Sequence, residues 1–166
     1  MTYGFQRTAT GRVVLRVDDV ERGLLMSVAR QVMDLVQPAE ASPDQDPLAA
    51  QVGWVDGDVG ISDDPAVARL LPDAYDDPDD ARDFRRFTEN DLRQSKMQHA
   101  MTVLEEIERS GEKVPVTSTD SWLGLLNDAR IASGPRIQLS EDNRAELAEL
   151  PPDDPRAGLF QFYDWL

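Results

Sequence analysis

The strongest constraint on this chain is the helical periodicity of the stretch Ser121-Trp-Leu-Gly-Leu-Leu-Asn-Asp-Ala-Arg-Ile-Ala-Ser-Gly134. Trp122, Leu126 and Ala129 recur at helical spacing, with Leu125 and Ala132 beside them, so one wide apolar stripe runs down the segment. Such a stripe needs a core to pack against. Ser118 or Thr119 supplies the cap, Asp120 places an anion where the helix dipole favours one, and Gly134-Pro135 ends the helix. Asn127, Asp128 and Arg130 lie close to the stripe, and polar groups in that position require partners.

The flanking segments read mostly as further helices. Phe5 to Arg7 and Arg12 to Val17, joined through Thr8-Ala-Thr-Gly11, read as a short β-hairpin. Asp18 and Asp19 open a helix whose apolar positions are expected at Val20, Leu24, Val28, Val32 and Leu35 or Val36, ending at Pro38. Short helices are expected at 46–52 and 64–71, each opened by a proline. The longest pattern runs from Asp79 to Ser110. Within it Phe84 and Phe87 are out of phase with Leu92, Ala100, Val103, Leu104 and Ile107, and Thr88-Glu-Asn-Asp91 looks like a capping box, so a break near Thr88 is expected. Ser140 to Leu150 reads as another helix. Asp154-Pro155 starts the last one, with Leu159, Phe160, Tyr163 and Leu166 on its inner face. The expectation is a mainly α protein: a compact bundle of five or six helices with a short N-terminal β-hairpin, a single domain over residues 1–166.

Charge and composition narrow the function. There are 32 acidic and 17 basic side chains, a formal charge of −15, which repels phosphates and anionic membrane surfaces. Direct nucleic-acid binding and membrane association are therefore not expected. Segment 38–83 holds 13 acidic and two basic residues, a net −11, so most of the excess is local. The absence of cysteine excludes disulfides, thiolate metal sites and thiol redox switching within these residues. No secretory signal and no run of 18 apolar residues is present, and a soluble cytoplasmic location is expected.

Catalytic templates fare poorly. With His99 the only histidine, neither a Ser-His-Asp relay nor a multi-histidine metal site is available, and His99 reads as an ordinary partly buried imidazole. Asp56-Gly-Asp-Val-Gly-Ile-Ser-Asp-Asp64 resembles a calcium loop, but Gly60 falls where a ligand is needed, Ile61 where the glycine is needed, and Val67 where a glutamate should close it. Phosphate-binding glycine loops and nucleophile elbows are absent from the sequence. The basic cluster Arg85, Arg86, Arg93 and Lys96 is offset by Glu89, Asp91 and the acids upstream. Arg86 or Arg93 suits pairing with Asp128 or another acid at the edge of the core, which would tie the long helix to the one carrying the apolar stripe. No catalytic residue, metal ligand or cofactor is expected.

Two runs carry a family resemblance: Asp83-Phe-Arg-Arg-Phe-Thr-Glu-Asn-Asp-Leu-Arg93 and Trp122-Leu-Gly-Leu-Leu-Asn-Asp-Ala-Arg-Ile-Ala-Ser-Gly-Pro-Arg-Ile137. Together they resemble an actinobacterial family of unknown function whose genes lie near that of the protease adaptor ClpS, and whose members include an oxidative-stress regulator. The resemblance implies a non-enzymatic transcription regulator acting through a protein partner such as a sigma factor. It marks Arg85, Arg86, Glu89, Asp91, Arg93, Trp122, Asn127, Asp128, Arg130 and Arg136 as a polar cluster for structure or partner binding. The regulator's redox sensing uses paired cysteines, so that property does not carry over to a chain without them. Two other readings compete: a small enzyme with a polar site around Asn127, Asp128 and Arg130, which needs a pocket lined by those side chains, and an accessory factor of Clp proteolysis, which the gene proximity suggests.

Overall fold

The structure, a computed structural model, describes residues 3–37 and 62–166. The helix expected at 46–52 and most of the calcium-like loop lie outside those residues. Two strands, β1 (Gly4–Arg7) and β2 (Val13–Arg16), pair antiparallel with Phe5 opposite Leu15. Gly11, at φ +81°, supplies the left-handed residue of their connecting turn, where a side chain would be strained. Six α-helices are described: α1 (Asp19–Leu35), α2 (Pro65–Leu70), α3 (Pro78–Glu108), α4 (Thr119–Ser133), α5 (Arg144–Ala148) and α6 (Pro155–Trp165). The protein is mainly α with a short N-terminal strand pair, as expected. A third strand, β3 (Lys113–Val116), was not anticipated; it pairs antiparallel with β2 and brings Val114 opposite Leu15.

The chain divides into two compact units: Met1–Gln37 with Gln94–Asn127, and Pro38–Arg93 with Asp128–Leu166. In the first unit, Asp18 caps α1 in a reciprocal capping box with Glu21. The buried face of α1 is Leu25, Val28, Ala29, Val32 and Val36. Val20, at 79% exposure, and Leu24 lie on solvent, so the expected stripe was set one residue out of phase at its N-terminal end. Ser118 accepts the Ser121 N–H at the start of α4. Trp122 and Leu125 are buried there, whereas Leu126 is only half-buried. The Trp122 indole N–H donates to Glu106 Oε2 at 2.7 Å, and the Thr117 N–H donates to Glu106 Oε1 at 3.1 Å. One carboxylate thereby fixes the turn between β3 and α4 to the end of α3. Gly124 lies close against α3, since a methyl there would overlap Nδ1 of the half-buried His99.

In the second unit, α3 continues through Thr88 without a break. The Thr88 hydroxyl donates backward to the Phe84 carbonyl at 3.0 Å instead of capping the residues ahead, which removes the reason for a new helix start. A 3-10 turn, Gly134–Ile137, follows α4 and ends at Gln138, which is left-handed at φ 54°. Asn143 closes this corner by donating to the Gln138 carbonyl, and α5 is shorter than expected. The last helix is capped by Asp154, which accepts the Arg156 N–H at 2.8 Å. Phe160, Ile137 and Leu147 form its core with Tyr163 against them, while Leu159 faces solvent instead of lining the inner face.

Candidate interaction surface

On α3 the spacing of Arg85, Glu89 and Arg93 places all three on one helix face. Glu89 Oε2 accepts from Arg85 Nη1 at 2.8 Å, and Glu89 Oε1 accepts from Arg93 Nε at 2.8 Å. Arg85 Nη2 also donates to Asp73 at 2.7 Å and to the Leu71 carbonyl at 3.1 Å. Arg85 is only 7% exposed, so its charge is drawn out of water and compensated by two carboxylates and a carbonyl. Burial alone would lower its pKa, but the hydrogen bonds and charges of Glu89 and Asp73 outweigh that and push it up. The guanidinium is thus a fixed cation and has no role in moving protons. Its effect is to anchor the turn after α2 to the side of α3.

That anchoring leaves a groove of about 340 Å³ between the turn and the helix. Its apolar lining includes Leu71, Ala81, Phe84 and Leu92, with the ion pairs of Arg85 set into the floor. Phe84 and Leu92, which line the groove, are 42% and 40% exposed. Tyr75, also exposed, meets Phe84 edge to face at 5.5 Å between ring centres. The segment that supplies one wall and leads into α3 is acidic: residues 73–83 carry six aspartates and one arginine, and Asp73 itself lines the groove.

Of the polar residues named from sequence, Arg85, Glu89 and Arg93 come together. Arg86 meets Asp83 at 3.6 Å, and Asp91 is exposed. Trp122 belongs to the other unit and serves Glu106. Asn127 is exposed and Asp128 is 2% exposed, so the two consecutive residues of α4 differ sharply in burial. Arg130 lies over the Tyr163 ring, 4.8 Å from its centre, and Arg136 is exposed in the 3-10 turn. None of Asn127, Asp128 and Arg130 lines the groove. Sequence reasoning missed Asp73, whose partner lies 12 residues away, and the apolar groove, whose walls come from two separate elements. Among the described residues no cluster of metal-ligating side chains occurs.

The model of the family described as "Domain of unknown function (DUF2017)" matches residues 2–166. The chain belongs to this family. Among curated relatives, a Mycobacterium tuberculosis protein named oxidative stress regulator AosR is 28% identical over 162 residues, covering 88% of this chain and 73% of the relative. The Mycobacterium bovis protein of the same name is similar to the same extent. So is a Mycobacterium leprae protein named putative oxidative stress regulator AosR. No solved structure matches the chain significantly.

Proposed function

We propose that this DUF2017 protein is a non-enzymatic regulator that acts by binding a protein partner, a sigma factor being the first candidate. The observation that carries the reading is the similarity, along 88% of the chain, to proteins named as oxidative stress regulators. Two features of the chain support it. Arg85, Glu89 and Arg93 of α3 are engaged in ion pairs that shape a surface, and that surface is apolar and lies beside an acidic segment, suited to a macromolecule carrying positive charge. With a net charge of −15, the same molecule meets duplex DNA at a disadvantage. The relatives' named role transfers as regulation, while sensing of oxidant by a thiol within these residues does not, because they contain none.

The test is affinity purification from the native host with partners identified by mass spectrometry, followed by titration of the purified pair. A defined complex with a sigma factor is expected. It should weaken as salt rises, because screening over about 8 to 10 Å removes long-range attraction. Mild peroxide should leave the affinity unchanged. Tight binding of duplex DNA by the protein alone, or turnover of a small molecule by the purified protein, would overturn the reading.

A further inference from the structure

We infer that the groove beside α3 is the docking site for a partner segment that presents an apolar anchor flanked by lysine or arginine. The inference rests on the reading above that the protein acts through a protein partner, and adds which chemistry that partner brings and where it lands. Volume and lining define the anchor. A space of about 340 Å³ walled by Leu71, Ala81, Phe84 and Leu92 accepts one or two aliphatic or aromatic side chains, and its exposed walls lose contact with water when it fills.

Charge defines the flanks. The floor is already neutralised, because Arg85 and Arg93 together offset Asp73 and Glu89, so it offers an entering charge little to pair with. The adjoining stretch is different. Asp76, Asp77 and Asp80 are exposed close in sequence to the lining residues Ala74 and Ala81, whereas Asp79 and Asp83 are paired with Arg82 and Arg86. An acidic segment would meet repulsion there, and a neutral apolar one would leave that charge unused. A cationic segment with an apolar face satisfies both the groove and its border.

The probe is a synthetic helical peptide of leucine and lysine, labelled for fluorescence anisotropy. Two controls accompany it, one with glutamate for lysine and one with serine for leucine. The leucine–lysine peptide should bind the 166-residue chain at low salt, and each control should bind at least about tenfold more weakly. Leu92→Ser removes a half-exposed wall, and Ala74→Trp fills the groove from an exposed lining position. Either should weaken the peptide by about tenfold or more while circular dichroism remains that of the parent. Substituting Asn at Asp76, Asp77 and Asp80 together should weaken it and flatten its salt dependence. Equal binding of the serine–lysine peptide, or unchanged binding by Ala74→Trp, would overturn the inference. The natural partner separates this from the broader reading: a partner that binds the parent and the filled-groove variant equally refutes the groove and leaves regulation through a partner standing.

Discussion

The two units solve the problem of holding a fold together with different materials. Met1–Gln37 with Gln94–Asn127 contains eight basic and nine acidic residues, a net −1, whereas Pro38–Arg93 with Asp128–Leu166 contains nine basic and 23 acidic ones, a net −14. The nearly neutral unit relies on buried aliphatics, a three-stranded sheet, and the shared carboxylate of Glu106. The acidic unit sets a charged network into its surface and packs an aromatic cluster on its last helix. Almost all the excess charge therefore sits in the unit that also carries the exposed apolar groove. Apolar packing carries the first unit, while the second tolerates the self-repulsion of a net −14.

Core truncation in the neutral unit should produce the largest loss. Leu125 is fully buried, so Leu125→Ala should cost about 2 to 5 kcal/mol in chemical denaturation, through lost burial and a residual cavity. The corresponding test in the acidic unit is Arg85→Met, which keeps the stem and deletes the charge. A cost of about 2 to 3 kcal/mol is expected, because Asp73 and Glu89 each lose a cation, though both retain some contact with water. If Arg85→Met proved as stable as the parent, the contrast between packing and ion pairs would collapse.

Gly124→Ala sharpens the comparison by placing one methyl where α4 meets His99. About 1 to 3 kcal/mol should be lost, and His99→Ala in the same chain should recover part of it, a coupling that a thermal melt of the double variant would reveal. Additive losses would show that the crossing does not depend on that contact.

The smallest effect concerns acid. Hydrogen bonds from the Arg156 side chain and backbone hold the Asp154 carboxyl below its usual range. Because the folded pKa is depressed, the stability it lends is complete above the unfolded carboxylate pKa near about 3.9, and fades as pH falls through the lower folded value. Asp154→Asn should therefore reduce the acid sensitivity of α6, read by amide exchange in Pro155–Trp165. An unchanged profile would mean that the cap, not the carboxyl's titration, governs that end.

Local chemistry was legible in the sequence, and choices made by tertiary contact were not. Asp18, Ser118 and Asp154 cap as their residue types imply, and Gly134-Pro135 ends its helix. By contrast, β3 contains Pro115 and Lys113 and has little strand character of its own; its pairing with β2 spans about a hundred residues of chain. The N-terminal half of α1 offers both Val20 with Leu24 and Leu25 with Val28, and only packing selects the second set. In the basic cluster the identity of the buried arginine was equally hidden. Arg85, Arg86 and Arg93 are chemically alike, and Asp73, which helps to neutralise Arg85, lies beyond the helix.

The contact between His99 and Gly124 also makes the molecule easy to watch. Since the chain has one histidine, its imidazole gives a single pair of carbon-bound ring proton signals in a magnetic resonance spectrum, with no second histidine to confuse the assignment. Those signals originate at the crossing of two helices in the unit that lacks the groove. Adding a ligand for the groove while following that one pair of lines would measure directly whether occupation of the acidic unit is felt in the neutral one.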